Sequence, residues 1–290
     1  MKDKIKFFEK PKLKSPTIIA GFEGWPNAGE VSTGTLKYLI KSLNPKPLAS
    51  MKIDDFFSYH SKRPTVKVER GKIIEIVKAK NNFFYWINQN GNRDVILFMG
   101  TEPHLKWEYF IDIFLKVCEE MKVKQIITIG GTTDNITHEE EMISALATDE
   151  KDIKFLDEIG ISPIDYYGPT SIHSMIITTS KEKGFSSISL WGHVPFYIKG
   201  SNFRVYRKMI DILQKLTGFY INTTDLEMAW QRVKKQIDLL IEKNPELKQY
   251  IEAIKKGGKG EKPTKENELK GEVIRIDEFL KSKEEPEKDD

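Results

Sequence analysis

Residues 18–30 constrain the fold of this chain more than any other segment. Ile18-Ile19-Ala20-Gly21-Phe22-Glu23-Gly24-Trp25-Pro26-Asn27-Ala28-Gly29-Glu30 carries a short apolar run into a loop rich in Gly, Pro and Asn. Beyond Glu30 the apolar spacing turns helical, through Val31, Leu36, Leu39, Ile40 and Leu43. The pattern reads as a strand, a tight loop and a helix start. In open α/β sheets such loops lie at the carboxyl ends of strands, where ligands or partners are met. The loop has neither G-x-G-x-x-G nor G-x-x-x-x-G-K-[ST], so it does not indicate a nucleotide. Gly24 and Gly29 are expected to permit backbone geometry or close approach that a side chain would hinder.

The rest of the chain repeats the theme. Strand-like apolar runs occur at 17–22, 72–77, 83–87, 94–99, 125–129 and 186–190. Trp107, Phe110, Ile113, Phe114, Val117, Cys118 and Met121 recur at three- and four-residue spacing, which marks a buried helix face. Further helices are expected from Ser171 to Lys183, ending at Gly184, and from Phe203 to Leu216, ending at Gly218. Strands alternating with helices predict an α/β fold, a mostly parallel sheet covered on both faces. The runs at 72–77 and 83–87, joined by a short polar segment, read as an antiparallel addition.

The character changes after Gly218. Leu226, Trp230, Val233, Ile237 and Leu240 repeat near a heptad spacing, and Asn244-Pro245-Glu246 then reads as a cap and first turn of a second helix. The expected organisation is an α/β body over residues 1–220, an amphipathic helical appendage over 221–256, and a charged, largely disordered tail over 257–290. The stripe of Trp230, Val233, Ile237 and Leu240 has two readings, packing on its own domain or contact with a subunit or partner.

A parallel sheet brings its strand-end loops to one edge. Those loops hold Glu23, Trp25 and Asn27, then Glu102 and His104, then Asp134 and His138, and finally Trp191 and His193. Acids and histidines on one edge could bind a metal or do acid–base work, or could cap helices and tie loops together. The spacing contains no H-E-x-x-H and no paired His on one helix face, so neither a metal nor a catalytic group is assigned. No serine sits in G-x-S-x-G. Trp25, Trp107 and Trp191 are expected to be core anchors with their N–H groups on loop carbonyls, or else an aromatic wall for a ligand.

Composition narrows the classes. The single cysteine, Cys118, excludes an internal disulfide framework and a cysteine-based zinc site. A formal net charge of +3 is too small to argue for specific nucleic-acid binding. No signal-length apolar region follows the charged start, and no stretch approaches membrane-spanning length, so a cytoplasmic protein without membrane partners or cofactors is expected.

Several segments also carry a family resemblance. Gly24-Trp25-Pro26-Asn27-Ala28-Gly29-Glu30 is similar to the opening motif of the proteasome assembly chaperone 2 family. The matching segments continue in order. Arg63-Pro64 follows an acidic-aromatic stretch, and then come Gly100-Thr101-Glu102-Pro103-His104-Leu105-Lys106-Trp107, Tyr167-Gly168-Pro169-Thr170 and Trp191-Gly192-His193-Val194-Pro195-Phe196-Tyr197. The resemblance covers residues 15 to 220. It implies a three-layer α/β/α sandwich like that of nucleoside phosphorylases. It also implies a non-enzymatic chaperone that forms a homo-oligomer and acts with a paralogue or with proteasome subunits. Ring-docking members end in a hydrophobic-Tyr-any motif, whereas this sequence ends Glu287-Lys288-Asp289-Asp290. The alternative is a small-molecule-binding protein or a hydrolase- or phosphorylase-like enzyme using the strand-end cleft.

Overall fold

The computed structural model describes residues 4–53 and 55–256, together with the backbone of residues 274 and 275. The strands are β1 (Ile5–Phe7), β2 (Thr17–Glu23), β3 (Lys46–Met51), β4 (Thr65–Glu69), β5 (Lys72–Val77), β6 (Asn81–Trp86), β7 (Val95–Thr101), β8 (Gln125–Asp134), β9 (Ile143–Ala147), β10 (Ser162–Pro163), β11 (Ser186–Pro195), β12 (Ile198–Lys199) and β13 (Ile274–Arg275). The helices are α1 (Val31–Leu43), α2 (Trp107–Glu120), α3 (Glu150–Glu158), α4 (Ile172–Glu182), α5 (Phe203–Thr217), α6 (Thr224–Lys243) and α7 (Pro245–Lys255).

A 9-stranded sheet runs in the order β1-β3-β6-β7-β2-β8-β11-β9-β10. Its centre, β7-β2-β8-β11, is parallel throughout. The expectation of a mostly parallel sheet holds there and not on the flanks, where β6 pairs antiparallel with β7, β3 with β6, β1 with β3, and β9 with β11. A short loop, residues 87–94, joins the antiparallel neighbours β6 and β7, whereas parallel neighbours need a longer crossover.

The central strands are apolar on both sides, as doubly covered strands must be. Alternate residues of β2 face opposite layers. Ile19 packs with Leu36 and Leu39 of α1 and Met209 and Leu213 of α5. Ile18, Ala20 and Phe22 pack with Phe110, Phe114 and Val117 of α2 and Ile172 and Ile176 of α4. The result is an α/β/α sandwich. On the α2 side the core is aromatic, with Phe83 and Phe98 ring centroids 4.6 Å apart and Phe98 edge-on to Phe114 at 5.2 Å. Cys118 lies fully inside this layer, where burial pushes its thiol up and leaves it a packing residue.

The antiparallel addition is placed differently from the expectation. β5 pairs with β4, not with β6, in a separate two-stranded sheet, with Val66 opposite Ile76 and Val68 opposite Ile73. Every residue of that hairpin is exposed. Strand β1 adds an edge to the main sheet by pairing with β3.

α6 and α7 pack back on their own chain. Trp230, Val233 and Ile237 are buried with Tyr197, Ile198, Leu247 and Ile251, and Leu240 is half-buried beside them. That is the intrachain alternative for the heptad stripe. The Asn244 side chain accepts from Leu247 N–H at 3.0 Å, capping α7 one residue before Pro245 as the N-cap pattern requires. The expected tail, 257–290, lies outside the described residues except at β13, which pairs with β12.

Candidate functional site

The strand-end residues fall into separate groups. The first is built around Glu102, just past β7. One carboxylate oxygen accepts from Ile172 N–H at 3.1 Å, at the start of α4, and the other from Trp25 N–H at 3.2 Å. Its own N–H donates to the Glu23 carbonyl at 2.8 Å. One half-buried acid thus joins three loops that are far apart in sequence. Burial raises its carboxyl above the ordinary range, and the two amide bonds work against that rise. Glu23 itself faces solvent in a 2.6 Å pair with Lys62.

Asn27 ties the opening loop to its helix. Its side-chain oxygen accepts from Thr33 N–H at 3.1 Å, and its amide donates to Thr33 Oγ1 at 3.0 Å. Gly131 N–H donates to the Pro26 carbonyl at 2.9 Å, which lays the loop against β8. Gly29 takes φ +57, and its carbonyl accepts from Tyr206 OH at 2.9 Å and Asn202 N–H at 3.2 Å. Trp25 is 61% exposed, which corrects the expectation of a core anchor. Trp107 meets it by donating to the Pro103 carbonyl at 2.6 Å. Trp191 donates instead to Ser189 Oγ at 3.0 Å. His104 stands apart, exposed, with Nδ1 accepting from Ser58 N–H at 3.1 Å.

The second group is a line of hydrogen bonds across three strands. Asp134 Oδ2 lies 2.7 Å from His193 Nδ1, and His193 Nε2 lies 2.7 Å from Ser144 Oγ. With the carboxylate accepting at Nδ1, Nε2 is left to accept the serine proton, the connectivity of an acid–base triad. Asp134 and His193 are among the expected residues and Ser144 is not. Strand β9, which carries Ser144, has only the short segment Ile143–Ala147, and its antiparallel pairing with β11 leaves no local trace in the sequence. Ser144 is buried and does not sit on a strand-to-helix turn. Among the described residues, no group of three or more His, Cys, Asp or Glu is placed to hold a metal.

The third group fastens the helical appendage. His138 N–H donates to Tyr197 Oη at 2.8 Å, the Tyr197 hydroxyl reaches His138 Nδ1 at 2.8 Å, and His138 Nε2 lies 2.9 Å from Asp238 Oδ1 on α6. Lys234 bonds Asp238 at 2.8 Å and approaches Glu139 at 3.4 Å. Desolvation holds His138 below its ordinary pKa despite the attraction of Asp238. Between α5 and α6 a cleft of about 200 Å³ is lined by Glu141, Arg204, Arg207, Trp230 and Lys234. Both arginines bond Glu141 Oε1, at 3.1 and 2.8 Å, so its charges are largely matched within the wall.

His173 is fully buried between Phe22 and Trp191, with ring centroids 5.4 and 5.1 Å away, and neither ring nitrogen has a hydrogen-bond partner. Desolvation takes its pKa from 6.5 to about 3. Burial therefore disfavours the charged form of both His138 and His173 in the fold, and the unfolded chain binds more protons once pH falls below 6.5. Their stability contribution is complete above 6.5 and is lost progressively as pH falls below it, for His173 down to about 3. Thermal melts from pH 8 to pH 5 should show a falling midpoint below pH 6.5. His173→Leu should flatten the slope, since one such histidine accounts for at most about 1.4 kcal/mol per pH unit. An unchanged slope in that variant would mean that His173 does not carry the effect.

The description "PAC2 family" belongs to the family model that matches residues 21–241. Among solved structures, a PAC2 family protein from Streptomyces avermitilis is 22% identical, with TM-score 0.73 over 81% of this chain and 99% of that one. A Mycobacterium tuberculosis proteasome-assembly chaperone homologue is also 22% identical, with TM-score 0.74 over the same shares. Pyrococcus furiosus PbaB, an archaeal proteasome activator, is 21% identical, with TM-score 0.66 over 81% of this chain and 97% of that one. No curated protein matches the chain.

Proposed function

This chain belongs to the PAC2 family, and from that premise we propose that it is a non-enzymatic assembly chaperone working through protein–protein contacts as a homo-oligomer. Its partners are proteasome subunits or a paralogue, a reading supported by relatives described as a proteasome-assembly chaperone homologue and an archaeal proteasome activator. Residues 1–220 form the working body and 221–256 a helical strap. The observation that carries the reading is the commitment of Glu102. Both its oxygens are occupied by backbone amides, so the acid at the strand-end edge braces loops instead of facing a substrate. A chaperone needs such a rigid edge and no reactive group. No helix among the described residues is long and apolar enough to cross a membrane.

The decisive test is affinity capture from the source cells with mass spectrometry, followed by reconstitution with the purified candidates. Proteasome α-subunits or a paralogue should be recovered and should bind directly. Recovery of neither would overturn the reading.

The Asp134–His193–Ser144 line favours a second reading, a hydrolase. Under it, a fluorophosphonate probe should label the native chain and spare Ser144→Ala. Under the chaperone reading, both proteins stay unlabelled.

A further inference from the structure

The β4 and β5 hairpin stands outside the three layers and outside every apolar cluster described above. Cross-strand register sorts its side chains by face. Val66 faces Ile76 and Val68 faces Ile73, while Lys67 faces Glu75, Glu69 faces Lys72 and Thr65 faces Val77. The register shifts between Lys67 and Val68, which makes Ile74 the extra residue of a bulge. One face is thus aliphatic and the other charged. Lys67 Nζ and Glu69 Oε1 are 2.7 Å apart on the charged face. The aliphatic face is open to solvent, with Ile73 66%, Ile74 55%, Val68 55%, Ile76 52% and Val66 51% exposed. A lone two-stranded hairpin is marginal in water, and an aliphatic face on it needs a cover.

We propose that this face is covered in solution by the same face of a second copy of the chain. The proposal deepens the homo-oligomeric chaperone reading and rests on it. Three observations point to a copy. The face carries no charge, and the opposite face balances Lys67 and Lys72 against Glu69 and Glu75, so the aliphatic side selects for another neutral aliphatic surface. An isologous contact places the same patch on both copies, and this face would then set aliphatic side chains against aliphatic side chains. Its five aliphatic side chains present roughly 450 Å² per copy, so two faces remove roughly 900 Å², close to the roughly 1,000 Å² of a specific contact. A permanently exposed face also needs a cover in equal number, and each newly made chain brings one.

The test uses the full chain. Sedimentation velocity should show self-association of the native protein. Ile73→Asp with Ile76→Asp should at least halve the mass, and Glu75→Gln on the charged face should leave it unchanged. Circular dichroism should stay native in both, because the hairpin lies outside the packed body. With Cys118 buried, single Ile73→Cys, Ile76→Cys and Val66→Cys chains report directly. At least one should oxidise to a covalent dimer, while Lys67→Cys should not. An oligomer whose mass ignores the double Asp variant would overturn the proposal and leave the chaperone reading standing. A monomer whose hairpin amides become protected from hydrogen exchange only when purified proteasome α-subunits are added would assign the face to a foreign protein and overturn it too. A monomer that binds no client would sink both.

Discussion

Trp230→Ala should lower stability by about 3–5 kcal/mol, the usual cost of emptying a large aromatic site in a core. The side chain is 2% exposed and lies among Tyr197, Val233 and Ile237, and the Arg204 guanidinium sits 5.7 Å from its ring. Truncation removes the contact that presses α6 onto the body and leaves the aromatic cluster under it without a lid. For a domain of this size the melting midpoint should fall by roughly 10 °C or more. Oligomer mass, measured well below that midpoint, should not change. The opposite result, an intact midpoint with a smaller particle, would place Trp230 at a subunit contact.

Gly29→Val should be nearly as damaging, at roughly 3 kcal/mol from two independent terms. A β-branched residue is strained at φ +57. Its Cβ would also stand 2.7 Å from Val194 Cγ1 on β11, a side chain held inside the core. Relief by moving the loop would break the bonds that Tyr206 and Asn202 make to the Gly29 carbonyl. Gly29→Ala keeps the left-handed strain but needs less room, so it should fall between the two. A Val variant melting within a degree or two of native would show that the loop can shift freely.

The legible parts of this fold are those whose information is local. The face of α2, the capped start of α7 and the ends of α4 and α5 follow from three- and four-residue spacing and from Asn-Pro or Gly punctuation. β2, β7 and the first half of β8 follow from their apolar runs. β3 and β9 did not, because Lys46–Met51 contains a proline and Ile143–Ala147 is short and built of small residues. The hairpin partner of β5 was misassigned because Thr65–Glu69 has no continuous apolar run, although its alternation of aliphatic and charged residues has the period of a strand. The candidate site divides in the same way. Glu102, Asp134 and His193 were reachable as strand-end residues. Their partners Ile172 and Ser144 were not, since 70 and 49 residues separate the bonded pairs Glu102 with Ile172 and Ser144 with His193. The burial of His173 was equally invisible, because it depends on Trp191 and Phe22 arriving from two other strands.

The sheet order also sets a timetable for making the protein. β2, the middle of the parallel core, is translated early, yet its neighbours are β7 and β8. From the end of β2 at residue 23 to the end of β8 at residue 134 the ribosome must add 111 residues. At about 5–20 residues per second that takes roughly 5–20 seconds. Until β7 is complete at residue 101 Ile18, Ile19 and Phe22 have no parallel neighbour beside them, and the other side of β2 stays open until β8 follows. Contacts between residues so distant in sequence also form slowly once the chain is complete. A central, buried strand of this protein is therefore made long before its neighbours, and the nascent chain needs shelter for it well before the finished fold can offer any.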